Sequence, residues 1–258
     1  MSDISFRYVL IAWIIIAALV FISLLFIVAP YGRYFRRSFG PSINGRLGWV
    51  IMEAPAPLVF AALFITDIGI ATIVQTIFLV MWLTHYLDRA FVYPLKFRIS
   101  SRPLPLIVLI AGFVFNIVNA YLNSKYIAVN TLKYSEIWLH DARFIAGFII
   151  FVLGFIVNRH SDYILYRIRS KSRQEYGIPQ GGLYRWVSCP NYLGEIIMWM
   201  GWAISTWSPV AAAFCFWTIA NLVPRARSHH LWYQINFKDF PSGRHAIIPW
   251  VWTMLIRL

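Results

Sequence analysis

From Tyr8 to Val28 no charged side chain interrupts an apolar run. A helix crossing bilayer hydrocarbon takes about 20 such residues, so this stretch is long enough to span. It ends at Pro30-Tyr31-Gly32-Arg33. A cleaved secretory signal has a shorter apolar core and ends in small residues, so the segment is expected to remain as a helix. The rest of the chain has the same character: 60% of the 258 residues are hydrophobic and only 13% are charged. That balance leaves too little polar surface for a water-soluble domain, and lipid becomes the expected solvent.

A formal net charge of +13 raises the question of nucleic-acid binding, which the placement of the charges answers. The apolar pattern suggests an all-α, polytopic protein with seven transmembrane helices near 8–29, 49–66, 68–87, 103–124, 144–158, 188–206 and 209–224. With the N-terminus outside, 19 of the 23 Lys and Arg residues fall on cytosolic segments. Only Arg7, Lys125, Lys133 and Arg143 fall outside. This is the distribution of the positive-inside rule, and it puts the C-terminus in the cytosol. The apolar stretch Ile196 to Val223 is long for one span and short for two. Basic segments on both sides of it favour two crossings with a turn at Ser208-Pro209, and a single tilted span is the alternative. Cys189 and Cys215 have no metal-ligand spacing and read as buried free thiols. No repeat or linker divides the chain, so residues 1–258 are expected to form one membrane domain.

Ionisable groups within spans are costly, about 2.5–3.5 kcal/mol at a helix centre, and need partners or a cavity. Glu53 lies seven residues after Arg46, roughly 10 Å into the second span. Tyr86 lies in the cytosolic quarter of the third. Because adjacent spans run antiparallel, both fall on the same side of the midplane. Asn158 and Asp162 are i, i+4, and Arg169 falls near the same helical face. Asn191 and Glu195 repeat that spacing, as do Arg225, His229 and Tyr233 if their segment is helical. All three sets sit at cytosolic ends and together describe a cationic, hydrogen-bonding cavity for a large soluble anion. There is no GxGxxG or GxxxxGK[ST], so arginines must grip any phosphate.

The residues Asn158-Arg-His-Ser-Asp162, Ile178-Pro-Gln-Gly-Gly, Asn191-Tyr-Leu-Gly-Glu195, and Arg225 with His229, His230 and Tyr233 resemble the C-terminal half of steroid 5α-reductases. Glu53-Ala-Pro55 is similar to that family's Glu-x-Pro signature, and His85-Tyr86-Leu-Asp-Arg89 to its His-Tyr-x-x-Arg stretch. The resemblance runs from about Tyr31 to the C-terminus. It implies a membrane reductase that uses NADPH to reduce the double bond of a 3-oxo-Δ4 steroid. It assigns Glu53 and Tyr86 to the substrate carbonyl, with Trp199 on the substrate side. It assigns Asn158, Asp162, Arg169, Tyr176, Asn191, Glu195, Arg225, His229 and Tyr233 to the cofactor, with Arg33, Arg89, Arg98 and Arg143 as further candidates. Residues 1–125 then serve mainly the substrate and 143–258 mainly the cofactor.

Hydride adds to the β-carbon of an enone only if the carbonyl oxygen can take negative charge, so donors must be aimed at that oxygen. The Tyr86 phenol is one; Glu53 is another when protonated, as burial away from water favours. Ketosteroid isomerase, on another fold, pairs a tyrosine with a neutral carboxylic acid in this way. The expected partners are a steroid or sterol-like lipid and membrane lipids, with no nucleic acid, no metal and a monomeric state. The expected location is a bacterial inner membrane or the endoplasmic reticulum. Departures at Leu87-Asp88, Cys189-Pro190, Met198 and Pro224 leave room for another enone lipid as substrate. An isoprenylcysteine-type methyltransferase using S-adenosylmethionine shares a similar C-terminal core but does not account for Glu53 and Tyr86.

Overall fold

A computed structural model describes residues 3–96, 102–171 and 176–248. It is mostly helical: α1 (Asp3–Phe26), α2 (Gly45–Glu53), α3 (Pro55–Asp67), α4 (Ile73–Leu87), α5 (Tyr93–Lys96), α6 (Leu106–Val129), α7 (Ala142–Lys171), α8 (Pro190–Thr206) and α9 (Pro209–Asn236). A short antiparallel pair joins Ser42–Ile43 to Leu104–Pro105. Among the described residues, four helical stretches are long and apolar enough to cross a membrane: Ser5–Phe26, Gly45–Asp67, Leu106–Val129 and Ala142–Ile168. α4 and α8 are shorter, at 15 and 17 residues.

Local chemistry explains where the helices differ from the apolar pattern. α2 starts at Gly45 rather than 49 because the Asn44 side chain accepts from the N–H groups of Arg46 and Leu47 at 3.0 and 3.2 Å. α4 starts at Ile73 rather than 68, fixed by a reciprocal capping box between Thr72 and Gln75. α7 and α9 continue well beyond the apolar segments, to Lys171 and Asn236. The stretch from Ile196 to Val223 is broken between Thr206 and Pro209, where Trp207 takes a positive φ of 45°. Cys189 and Cys215 are both buried free thiols.

The chain packs as two compact units. One contains α1, residues 146–205 and the chain from Ala211 onward. Here α1 meets α9 through Trp13 and Trp217, whose ring centroids are 4.8 Å apart, and the Trp217 indole N–H donates to the Trp13 carbonyl. Nine large apolar side chains of α1, from Tyr8 to Phe26, are exposed, as on a lipid-facing helix.

The other unit contains Ala29–Ile145 with Thr206–Val210. In it α6 runs parallel to α2 and α3. The Asn116 amide donates to the Met52 carbonyl and the Ser124 hydroxyl to the Phe60 carbonyl, a constant offset along the paired helices. α4 runs antiparallel to α6, with the fully buried Gln75 donating to the Ile127 carbonyl at 3.0 Å. At the far end of this unit Lys133 caps the carbonyls of Thr206 and Trp207, donating to them at 3.1 and 2.8 Å. The rings of Tyr126, Tyr134 and Trp138 surround its ammonium at 5.1–5.5 Å.

Beside that cap, Arg143 holds Asp141 by paired hydrogen bonds of 2.8 and 2.6 Å. These bonds lower the Asp141 carboxyl pKa from 3.8 to about 2. A depressed carboxyl stabilises the fold above its unfolded pKa and loses that effect as pH falls through the folded value. The difference in thermal midpoint between the detergent-solubilised protein and Asp141→Asn should therefore be full above pH about 4. It should vanish as pH falls through about 2, which thermal melts of the two proteins across that range will check.

Candidate active site

Glu53 closes α2 one residue before the Ala54-Pro55 joint. Pro55 and Pro57 carry no N–H, so they withdraw the helix donors that the Ile51 and Glu53 carbonyls would otherwise meet. Ala54 keeps helical dihedrals, so α3 continues the course of α2. Glu53 is 9% exposed. Its Oε2 accepts from Asn116 Nδ2 at 3.3 Å, and its Oε1 lies 3.9 Å from Arg89 Nε.

Two contacts set the register of α3 against α4. The Trp82 indole donates to the Ala56 carbonyl at 3.0 Å, and its ring stacks on Phe60 with centroids 4.5 Å apart. Glu53 is three residues before Ala56 and Tyr86 is four after Trp82, so in an antiparallel pair the two come to the same level. Tyr86 is buried, tilted against Trp82 at 4.8 Å and edge-on to His85 at 5.0 Å.

Directly after α4 the helix widens into a π-turn over Asp88–Val92. Such turns concentrate at functional sites. This one carries Arg89, whose guanidinium lies 4.8 Å from both the Trp49 and Tyr93 rings, while its carbonyl accepts from the Trp49 indole at 3.1 Å. Arg89 thus belongs with Glu53 in this unit.

In the other unit, glycines bring α7 and α8 into backbone contact. A Cβ on Gly154 would collide with the backbone of Met198, and one on Gly194 with that of Asn158. Gly147 facing Ser205 and Gly201 facing Phe151 keep the same antiparallel register. The close approach lets the polar residues near the helix ends join: Asn158 Nδ2 donates to the Asn191 carbonyl at 2.9 Å, and Asn191 Nδ2 to Asp162 Oδ1 at 3.2 Å.

α9 is helical through Asn236, so Arg225, His229 and Tyr233 do follow one another at helical spacing. Arg225 Nε donates to the Tyr192 hydroxyl at 3.1 Å, and that hydroxyl lies 3.1 Å from His229 Nε2. Tyr233 stacks on Phe240 at 5.5 Å and Tyr176 meets Trp232 edge-on at 5.3 Å. Glu195 is half-buried, and Trp199 is buried against Phe214 at 4.4 Å.

Arg33 sits in a one-turn 3-10 helix whose carbonyl accepts from Arg102 at 3.2 Å. The guanidinium of Arg143 is already engaged by Asp141. Arg98 and the side chain of Arg169 lie outside the described residues.

The sequence assigned no site role to Tyr192, Asn116 or Ser188, and placed His230 only within a motif. Tyr192, inside the Asn191–Glu195 motif, links Arg225 to His229. Asn116 bonds Glu53. Ser188 and His230 meet at 2.6 Å, where the loop before α8 takes the C-terminal segment alongside it through the Val187–His245 bridge. Burial, with His245 adding to it, lowers the His230 pKa. For Asn116, helical spacing supplied a usable signal: with Asn119 and Asn123 it forms an i, i+3, i+7 stripe, all three buried.

These features define an α-helical membrane protein with a buried carboxylic acid and phenol in one unit and, in the other, two hydrogen-bonded sets, one of amides with a carboxylate and one of a guanidinium and an imidazole on a phenol. A family model described as 3-oxo-5-alpha-steroid 4-dehydrogenase matches residues 102–252. The chain is 39% identical over 251 residues to the steroid 5-alpha-reductase of Gossypium hirsutum, covering 96% of this chain and 97% of the relative. It is 35% identical over 253 residues to the Arabidopsis thaliana steroid 5-alpha-reductase, covering 96% and 97%. Against 3-oxo-5-alpha-steroid 4-dehydrogenase 1 of Homo sapiens it is 35% identical over 223 residues, covering 86% and 85%. The chain belongs to the steroid 5-alpha-reductase family, oxidoreductases acting on CH–CH groups.

Replacing Gly154 or Gly194 by Val should force α7 and α8 apart and cost about 1–3 kcal/mol or more. The thermal midpoint should fall in both variants. Gly69→Ala, where a Cβ meets nothing within 4 Å, should leave it in place.

Proposed function

We propose that the protein reduces the C4–C5 double bond of 3-oxo-Δ4 steroids with NADPH, and that Glu53 and Tyr86 polarise the substrate ketone. One observation carries this reading: an acid and a phenol buried at the same level of one antiparallel helix pair. Relatives over most of the chain bear names that state the 3-oxo-5-alpha-steroid activity.

When bound, NADPH supplies a hydride to the enone β-carbon. The chain's own part is to stabilise the charge that then develops on the ketone oxygen. Tyr86 donates its phenolic proton in a hydrogen bond to that oxygen, and Glu53 donates beside it from its protonated form. A proton added at the α-carbon completes the saturated ketone.

The donor set of the second unit suits a dinucleotide. Asn158, Asn191 and Asp162 are already aligned by mutual hydrogen bonds and offer amide and carboxylate groups to a carboxamide or ribose hydroxyls. Arg225, steadied by Tyr192, offers a guanidinium to phosphate, with His229 at the same hydroxyl. Glu195, Tyr176, Tyr233 and Arg169 complete the proposed cofactor set, and Trp199 belongs to the proposed substrate side. Within one membrane domain, residues 1–125 then serve mainly the substrate and 143–258 mainly the cofactor.

The proposed setting is a multi-pass arrangement of seven spans, N-terminus outside and C-terminus cytosolic. The charge distribution supports it, with 19 of the 23 basic residues on cytosolic segments. The steroid then enters from the bilayer and the soluble nucleotide from the cytosol.

Membranes carrying the protein should convert testosterone to its 5α-reduced product with NADPH, as product identification will establish. Glu53→Gln and Tyr86→Phe should each lower turnover by about 100-fold or more while NADPH binding stays nearly intact. Full turnover in both would remove the carbonyl-polarising role. Asn191→Ala should instead weaken NADPH binding, and an unchanged NADPH titration would count against the assigned cofactor set.

A further inference from the structure

Asn116 sits midway along α6, in a helix apolar enough to cross the membrane, and is 4% exposed. An amide in such surroundings costs several kcal/mol unless its groups are bonded. One –NH2 carries two protons. On Asn116, one bond of that nitrogen runs to the Met52 carbonyl at 2.8 Å and one to Glu53 Oε2 at 3.3 Å. The two acceptors are neighbours on one helix. The first is backbone and cannot move, so it fixes the nitrogen and thereby the direction of the second bond.

The packing reinforces that fix. Met52 fills the space at Gly112 on α6, where a Cβ would lie 2.6 Å from the Met52 Cγ and Sδ. α6 therefore approaches α2 closely one helical turn before Asn116. Among the described residues, the charged and titratable groups near this level include Arg89 on the π-turn, 3.9 Å from Glu53 Oε1, and His85 and Tyr86 on α4.

We infer that Asn116 is a positioning residue for the reduction: it ties Glu53 Oε2 to α6 as an acceptor, so that Glu53 meets the substrate ketone through Oε1. This rests on the proposed role of Glu53 at the carbonyl. A carboxyl group free to rotate presents either oxygen. One anchored through Oε2 presents a single oxygen in a single direction. Misplacement of a reacting group by about 1 Å costs on the order of 100-fold in rate, so such an anchor is worth a large part of the catalytic effect.

The test uses full-length protein in membranes with testosterone and NADPH. Asn116→Leu keeps the approximate volume and removes both bonds. It should lower kcat about 10- to 100-fold, with KM for testosterone and NADPH affinity within about threefold. Asn116→Asp should retain part of the turnover at acid pH and lose it as pH rises, because the protonated carboxyl offers one of the two lost donors and the ionised carboxylate offers none. Combined with Glu53→Gln, Asn116→Leu should add little further loss, since both changes disable one device.

The outcomes separate this inference from the reading beneath it. If Glu53→Gln retains full turnover, the role of Glu53 itself fails. If Glu53→Gln is impaired but both Asn116 variants keep the wild-type kcat and pH profile, the positioning role is overturned. A loss in Asn116→Leu that multiplies fully with that of Glu53→Gln also overturns it. If Asn116→Leu does not fold, the pH profile of Asn116→Asp decides alone.

Discussion

Inside a bilayer no water is available to satisfy a polar side chain, so each one placed there has to be bonded by a neighbouring helix. That constraint organises the unit built from α2 to α6. Gln75 bonds the Ile127 carbonyl, Ser124 the Phe60 carbonyl, and Asn116 the Met52 carbonyl. Each acceptor is backbone, so each bond fixes where along its neighbour a helix must sit. Lipid gives apolar faces no comparable preference for one register over another. These bonds tie α6 to α2, α3 and α4, while the Trp82 indole on the Ala56 carbonyl and its stack on Phe60 set Glu53 and Tyr86 level with each other.

The second unit solves the problem with shape. Glycines on α7 and α8 face backbone across the contact, which lets Asn158 and Asp162 reach Asn191. Small residues at a helix interface gain dispersion contacts by close approach, and here that approach also draws polar helix ends together. Pro224 lies inside α9 immediately before Arg225, and its ring cannot donate to the Ala220 carbonyl. The turns that follow carry Arg225, His229 and Tyr233 along the helix to its end at Asn236.

Much of this was legible in the sequence. The membrane class, the helix-rich fold, the break between Thr206 and Pro209, and the family all follow from apolar runs, charge placement and motifs at fixed spacing. The helix ends were less legible, because caps such as Asn44 and the Thr72–Gln75 box act over three or four residues regardless of where hydropathy changes. Tyr192 is illegible for another reason. A tyrosine among many aromatics acquires a role only through the partner that folding brings to it, whereas Asn116 stands in a legible stripe with Asn119 and Asn123 and only its acceptors depend on the fold.

The sequence by itself determined that the apolar runs must be kept from water and that the carbonyls four residues before the helical prolines lose their helix donors. These are properties of single residues and short spacings. Which carbonyl Asn116 holds, which ring Arg89 lies over, and how Tyr192 joins Arg225 to His229 were decided only by tertiary structure. Each depends on the axial register between helices far apart in sequence, and a shift of one residue, about 1.5 Å along a helix and 100° around it, would change the partner.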